Sequence, residues 1–290
     1  MRRKQHWRIA AGVLTAAAIV CFCIAGWSVF QRRAAEQTYA ALREEALNLA
    51  TPTLMHTEPP EGPTLEEILS APFEGYIDAE ETKIPPEVFT DVAEAPVDFE
   101  WLADVNPEIY AWIYIPDTQI NYPVAQHDGS DQFFYLNHDF YGRPQFCGCV
   151  FSQEPNALDF SDPVTVLYGH NMLNGSMFQN LYFFIQDPEF FNDHSYIYIY
   201  MRDETLVYEV VSAYYTDSSN ILTTNDFSDP AVFADYLEQC RNPRTVERHV
   251  REDVSLDPDS RILTLSTCRS GAPLQRYVVQ AVLAYRKQLT

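Results

Sequence analysis

The sequence predicts a mostly β fold with added helices, in which an eight-stranded, closed or nearly closed barrel follows an N-terminal transmembrane helix. Three observations carry this prediction. A run of 22 uncharged residues, Ile9 to Phe30, stands near the start of the 290-residue chain. An acidic, proline-rich segment follows it. Beyond residue 98 the chain consists mainly of short β-prone runs bounded by turn residues.

The uncharged run Ile9 to Phe30 would form a helix about 33 Å long, which matches a hydrocarbon core of roughly 30 Å. Four basic residues precede it, so the positive-inside rule favours a cytoplasmic tail at 1–8 and an extracellular remainder. The alternative is a cleaved signal peptide, whose apolar core is normally about 7–15 residues long and ends in small residues. Because Trp27 and Phe30 close this run, the sequence favours an uncleaved, single-pass anchor in the cell membrane.

Residues 31–97 are predicted to connect the anchor to the folded domain. Gln31 to Ala50 has apolar residues at helical spacing and reads as a helix that continues out of the membrane. Residues 51–97 hold eight prolines and eleven acidic residues against one lysine, which predicts an extended tether with a short helix around Leu65 to Ser70. We interpret the tether as a stalk; a segment that folds over the active site is the alternative.

The formal net charge of −22 excludes a nucleic-acid partner, because such a partner requires a basic surface. Five of the six cysteines are predicted to be unreactive. Cys21 and Cys23 lie in the uncharged run, and Cys147 and Cys149 form a C-x-C pair on one face of a predicted strand, a spacing that zinc sites do not use. Buried free thiols are favoured for that pair and for Cys240, with an extracellular disulfide involving Cys240 as the alternative.

Residues 98–290 are predicted to form a single domain. Asp98 is placed to cap a helix that ends at Val105. Eight β-prone runs follow, a number that suits a barrel. The long connection 216–261 contains a predicted helix from Pro230 to Cys240. In chain order, the eight runs are Trp112–Ile115, Ile120–Val124, Cys147–Phe151, Val164–Tyr168, Ser195–Met201, Leu206–Tyr215, Ile262–Ser266 and Tyr277–Tyr285.

The sixth cysteine, Cys268, has reactive side chains around it. It closes the seventh run, and Arg276 opens the eighth after a predicted seven-residue loop. Two strands joined in this way bring the thiol and the guanidinium near each other, as a nucleophile and an oxyanion stabiliser require. His170 follows the fourth run and is the candidate general acid and base, because histidine titrates near neutral pH.

Several motifs surround these three residues in a fixed order. They are NPEIYAWIYIPDTQINYPV at Asn106–Val124, YGHNM at Tyr168–Met172 continuing to HNMLNGSMF at His170–Phe178, LSTC at Leu265–Cys268, and then Arg276. Together they resemble the sortases, cysteine transpeptidases of Gram-positive bacteria, and most closely class B. The resemblance extends from Asp98 to Lys287.

The resemblance implies a sortase-like barrel at 98–290 whose catalytic residues are Cys268, His170 and Arg276, without a metal or cofactor. It implies cleavage of a C-terminal sorting signal in secreted proteins and a thioester on Cys268. The acyl group then passes to an amine of the peptidoglycan precursor or of a pilin. Ser266 and Thr267 are small enough to admit a substrate backbone and are assigned supporting, substrate-binding roles. The resemblance to class B also implies that the predicted helix at Pro230–Cys240 forms a wall of the substrate groove.

Some features leave alternatives open. Gly148 to Gln153 departs from the G-x-I-F-L-D pattern of many relatives, so the sorting signal and the acceptor amine stay open. Arg269, directly after the thiol, is a rival for the role of Arg276. The remaining candidates for chemistry lack a motif and are interpreted as surface or structural histidines: His127, His138, His194 and His249.

The sequence disfavours two other classes of protein. An L,D-transpeptidase has a glycine before its cysteine and an arginine two residues after it, whereas this chain has Thr267 and Ser270 at those positions. A non-catalytic scaffold on a decayed sortase fold is disfavoured because the cysteine, histidine and arginine are all present.

Overall fold

The computed structural model describes residues 26–27, 30, 33–47 and 97–288 of the chain. One nine-stranded sheet dominates it, with the strand order β5-β1-β2-β3-β4-β8-β9-β6-β7. The strands are β1 Ile109–Tyr114, β2 Asn121–Gln126, β3 Val150–Ser152, β4 Val164–Tyr168, β5 Tyr196–Tyr200, β6 Glu204–Asp217, β7 Arg248–Val250, β8 Ile262–Arg269 and β9 Ala272–Gln288.

Pairing between β5 and β6 closes eight of these strands into a barrel, which confirms the predicted eight-stranded barrel. β2–β3 and β4–β8 are parallel pairs, and the other pairs are antiparallel. The ninth strand, β7, lies outside the barrel on the edge of β6. The sequence did not predict it, because its three residues, Arg248 to Val250, show no apolar alternation.

Helices surround the barrel. They span 33–47, Phe99–Val105, Phe183–Gln186, Pro188–Asp193, Ile221–Thr224 and Pro230–Arg241. Two of them begin as the sequence predicts: the Asp98 carboxylate accepts a hydrogen bond from Trp101 N, and Asp229 caps the helix that starts at Pro230. That helix ends at Arg241, one residue beyond the predicted end.

The helix at 33–47 lies within the predicted helix at 31–50. It packs on the barrel through a buried stripe at helical spacing formed by Ala35, Tyr39, Leu42 and Ala46. The tether at 51–96, with its predicted helix at Leu65–Ser70, lies outside the described residues, as does most of the predicted anchor at 9–30. Within the described ranges, no helix is both long and apolar enough to cross a bilayer, and the anchor stays a prediction.

Two apolar layers hold β8 in place. Alternate side chains of β8, such as Leu263 and Leu265, point into the barrel core. On the outer face, Ile262 belongs to a second cluster that includes Phe233 and Leu237 of the helix Pro230–Arg241. The helix therefore covers the outer face of β4, β8, β9 and β6, and the functional side chains stand on that same face.

Two differences from the predicted strand boundaries have a clear cause in the backbone. The connection between the last two barrel strands consists of Ser270 and Gly271 instead of seven residues, because β9 begins at Ala272 and pairs with β6 from Gln275 onward. Gly271 adopts a φ of +74°, which closes this short turn. Cys147 lies before β3 instead of within it, because the left-handed Gly148, with a φ of +59°, precedes the strand.

Candidate active site

Cys268 lies near the end of β8, and its side chain is exposed. Its cross-strand partner on β9 is Arg276. Thr264 bonds Tyr236 of the covering helix, so the period of two along a strand places Cys268 on the outer face as well. On β9, Val282 faces outward, and Arg276 lies six residues before it. The period of two along the strand therefore places Arg276 on the outer face as well.

His170 joins this pair through the parallel neighbour of β8. Tyr168 of β4 pairs with Ser266 of β8, and Gly169 N donates to Ser266 O at 3.2 Å. His170 therefore lies two residues beyond a paired position on β4, as Cys268 does on β8. The three predicted catalytic residues consequently lie in one row at the same end of three adjacent strands, β4, β8 and β9, with His170 just beyond the last residue of β4.

The imidazole of His170 is held by a neighbouring loop. Its Nε2 lies 2.7 Å from the carbonyl oxygen of Leu136, and the exposed ring of Phe146 stands parallel to it at 6.2 Å. Because a carbonyl only accepts hydrogen bonds, Nε2 carries the hydrogen in this arrangement. A neutral imidazole of this tautomer can accept a proton at Nδ1, so both functions of a general acid and base are available.

The guanidinium of Arg276 interacts electrostatically with the phenol of Tyr168, which is the last residue of β4. Burial raises the pKa of Tyr168, and the positive charge of Arg276 offsets part of that increase. The Tyr168 hydroxyl is buried and has no hydrogen-bond partner. The fixed positive charge of Arg276 therefore lies close to the strand that carries Cys268, where such a charge would stabilise an anionic oxygen, whereas the Tyr168 hydroxyl is buried.

The rival arginine points elsewhere. Arg269 is the last residue of β8, and its guanidinium lies 3.9 Å from the centre of the Tyr215 ring. It also donates to the Gln275 side chain at 2.9 Å and forms an ion pair with Glu247 at 3.4 Å. The structure thus places Arg276, and not Arg269, on the face of the thiol.

The two residues before the thiol differ in their placement. Ser266 shares the outer face with Cys268 and is buried. Thr267 lies opposite Tyr277 on the inner face, is 2% exposed, and has an unpaired hydroxyl. A supporting contact with substrate therefore fits the position of Ser266 but not that of Thr267, whose side chain faces the barrel interior.

Two further residues contact the cysteine directly. The side-chain amide of Asn171 donates to the Cys268 carbonyl oxygen at 3.0 Å, and the Tyr182 hydroxyl donates to the same oxygen at 3.2 Å. Asn171 stands in the YGHNM motif beside His170, so the motif was a signal for it. Tyr182 left no such signal, because it precedes the cysteine by 86 residues.

An open cavity of ≈ 560 Å³ adjoins the row on the side of Arg276. Strand residues Tyr214, Thr216 and Val278 form its floor, and Ile221 and Tyr236 from the two helices after β6 form its wall. Thr216 is the cross-strand partner of Arg276. The helix Pro230–Arg241, predicted as Pro230–Cys240, therefore lines a cavity next to the strand position that pairs with Arg276.

The other described cysteines are buried and free, which confirms that prediction for Cys147, Cys149 and Cys240. Burial raises the pKa of Cys147 to about 12 and raises the pKa values of Cys149 and Cys240 further. Such thiols stay protonated at neutral pH and are poor nucleophiles. Cys268 is the exposed thiol among the described residues.

Within the described part of the chain, Glu108, His127 and Asp128 are the group of potential metal ligands whose donor atoms lie within 4.8 Å of one another. Their hydrogen bonds account for this arrangement, since Glu108 accepts from the His127 ring at 2.9 Å and from Asp128 N at 3.1 Å. His127 is thus a structural histidine, as the sequence predicts.

Comparison with known proteins agrees with this geometry. The model of the sortase domain family matches residues 113–284, more than half of the chain. Sortase B of Listeria monocytogenes is 29% identical over 184 residues, which is 63% of this chain and 72% of that protein. Sortase B of Staphylococcus aureus is 30% identical over 173 residues, which is 60% of this chain and 68% of that protein.

Solved structures give the same result. The X-ray structure of Clostridium perfringens sortase B is 30% identical, with a TM-score of 0.57, and the alignment covers 64% of this chain and 98% of that one. The closed barrel and these relatives define the class of protein as a sortase-type cysteine transpeptidase. The chain belongs to the sortase family, and its relatives place it in class B.

Proposed function

We propose that this transpeptidase is anchored in the cell membrane by residues 9–30, with a cytoplasmic N-terminus, and acts outside the cell. Its substrates are secreted proteins that carry a C-terminal sorting signal. The observation that carries the chemical part of the proposal is the single row formed by His170, Cys268 and Arg276. The uncharged run of 22 residues supports the anchor.

In the first half-reaction the thiolate of Cys268 attacks the carbonyl carbon of the sorting-signal peptide bond. The carbonyl electron pair moves to the oxygen, and the guanidinium of Arg276 donates hydrogen bonds to that oxyanion. When the tetrahedral intermediate collapses, the C–N bond breaks and the His170 imidazolium gives a proton to the departing amine. The product is a thioester on Cys268.

In the second half-reaction an amine attacks the thioester carbonyl, and His170 removes its proton. The C–S bond breaks, a new amide forms, and the thiol is restored. The thioester retains most of the free energy of the broken amide, so the exchange needs no nucleotide. The acceptor is an amine of the peptidoglycan precursor or of a pilin, since both reach the outer face of the membrane.

The proposal is tested by incubating the full chain in detergent with a library of candidate pentapeptides, with and without a small amine acceptor. Mass spectrometry should show an acyl adduct on Cys268 and, with the amine, a ligated product. Cys268→Ala is the control that removes both. Absence of an adduct and of cleavage across the library would favour the non-catalytic scaffold instead.

A further inference from the structure

The carbonyl group of Cys268 is held by two side chains from a distant part of the chain. The Asn171 amide nitrogen lies 3.0 Å from Cys268 O, 2.9 Å from Ser270 Oγ and 3.2 Å from the Tyr182 hydroxyl. The Tyr182 hydroxyl donates to Cys268 O at 3.2 Å and accepts from Ser270 N at 3.1 Å. The Tyr182 hydroxyl is thereby fully used, with one donated and two accepted hydrogen bonds, and the two hydrogens of the Asn171 amide are shared among three acceptors. We call Asn171 and Tyr182 the carbonyl clamp.

The clamp stands where the regular β-ladder stops. The register between β8 and β9 shifts directly after Cys268, where Arg269 pairs with Ala272. The backbone beyond the nucleophile is therefore not aligned by continuous strand pairing. Hydrogen bonds from Asn171 and Tyr182 take over this alignment.

Each clamp residue is also tied to another catalytic residue. Asn171 directly follows His170, whose own carbonyl oxygen accepts from Phe178 N at 2.8 Å. The buried Tyr182 ring stacks on the ring of Tyr277 at 4.9 Å, and Tyr277 directly follows Arg276. The clamp thus links the backbones that carry the base, the nucleophile and the oxyanion stabiliser.

We infer that Asn171 and Tyr182 are positioning residues that set the distance between the thiol of Cys268 and the imidazole of His170. This inference rests on the proposed function. Neither residue takes part in bond making. Because misplacement of a reacting group by about 1 Å can cost about 10²-fold in rate, a hydrogen bond that fixes the nucleophile acts on turnover more than on substrate affinity.

The test uses two variants that keep shape and remove one donor each. Asn171→Asp keeps the size of the side chain but has no N–H to offer, and Tyr182→Phe keeps the ring on Tyr277 but has no hydroxyl. We expect each variant of the full chain to lower kcat at least about tenfold with KM within about twofold. We expect the double variant to lose less than the product of the two single losses, because both act on one carbonyl.

Matched controls are Asn174→Ala, in the same loop but bonded to Glu36 and Ser176, and the exposed Tyr141→Phe. Both controls should keep kcat within about twofold. The clamp would be refuted by an unchanged kcat in both clamp variants. It would also be refuted by a KM effect alone, or by a kcat loss that only follows the fraction of unfolded protein in a thermal melt.

A second readout does not require peptide turnover. The rate of Cys268 alkylation by iodoacetamide, read by peptide mapping, should fall in the clamp variants and not in the controls, because nearby positive groups stabilise the reactive thiolate. If the wild-type chain cleaves no peptide, the proposed function fails while this measurement still tests the clamp. Equal alkylation rates in all variants would refute the clamp even in an active enzyme.

Discussion

Cys268 and Arg276 are cross-strand partners on either side of the β8–β9 turn, and both stand on the outer face of the barrel. The register shift after Cys268 leaves this pair intact while the turn itself narrows to two residues. A hairpin thus brings the predicted nucleophile and the predicted oxyanion stabiliser together, and His170 follows the end of the parallel neighbour β4.

Replacing Cys268 with alanine should abolish peptide cleavage and leave the fold unchanged. The side chain is exposed, so its removal creates no cavity, and the midpoint of thermal unfolding should move by less than about 2 °C. Cleavage is measured by chromatography of the peptide products. Residual activity above about a tenth of the wild-type rate would remove Cys268 from its role.

Arg276→Lys should lower kcat about 10²- to 10³-fold, because an ammonium group does not reproduce the planar fork that binds an oxyanion. Arg269→Lys is the matched control, since Arg269 contacts Tyr215 and Glu247 on the opposite face. Its kcat should stay within about threefold of wild type. If the two variants exchanged these effects, Arg269 would be the oxyanion stabiliser.

Gly148→Ala should destabilise the protein by more than about 2 kcal/mol in a denaturant titration. Gly148 has a φ of +59°, and an added Cβ would lie 2.6 Å from Leu136 O, the carbonyl that accepts from His170. Gly142→Ala provides the control, because Gly142 has a similar φ of +72° with open space around it. Its cost should be limited to about 1–2 kcal/mol of backbone strain. Equal losses in both variants would show that the crowding at Gly148 has no effect.

The buried thiols should become reactive only when the protein unfolds. Because burial raises the pKa of Cys147 to about 12, that thiol stays protonated at pH 8, whereas in the unfolded chain it ionises above about 8.5. Site-resolved alkylation at pH 8 should therefore label Cys268 in the native protein, and Cys147, Cys149 and Cys240 only in denaturant. Rapid native labelling of Cys147 would contradict its burial.

The raised pKa of Cys147 also makes the free energy of unfolding decrease as pH rises. A group whose pKa is raised by folding contributes stability that is fully present below the unfolded pKa and is lost as pH rises through the folded value. The contribution of Cys147 should therefore decline between about pH 8.5 and 12. Cys147→Ser should weaken this decline in denaturant titrations at pH 8 and 10; an unchanged slope would exclude the thiol as its source.

Much of the barrel was predictable because its signal is local. Apolar alternation located the eight barrel strands, and an acidic residue before a periodic stretch located the helices at Phe99 and Pro230. The failures also have local causes. The strand Arg248–Val250 exists only because the edge of β6 offers it hydrogen bonds, and Cys147 leaves the strand because Gly148 turns the backbone before β3.

The sequence by itself determined the reaction chemistry, since a thiol, an imidazole and a guanidinium in ordered motifs are readable without coordinates. Only the tertiary structure decided how these groups are held: Arg276 rather than Arg269 shares the face of the thiol, and Asn171 and Tyr182 meet at the Cys268 carbonyl. Asn171 and Tyr182 lie 97 and 86 residues from Cys268 along the chain. Hydrogen bonds between such distant positions leave no periodic pattern, because the barrel's strand order alone brings the partners together.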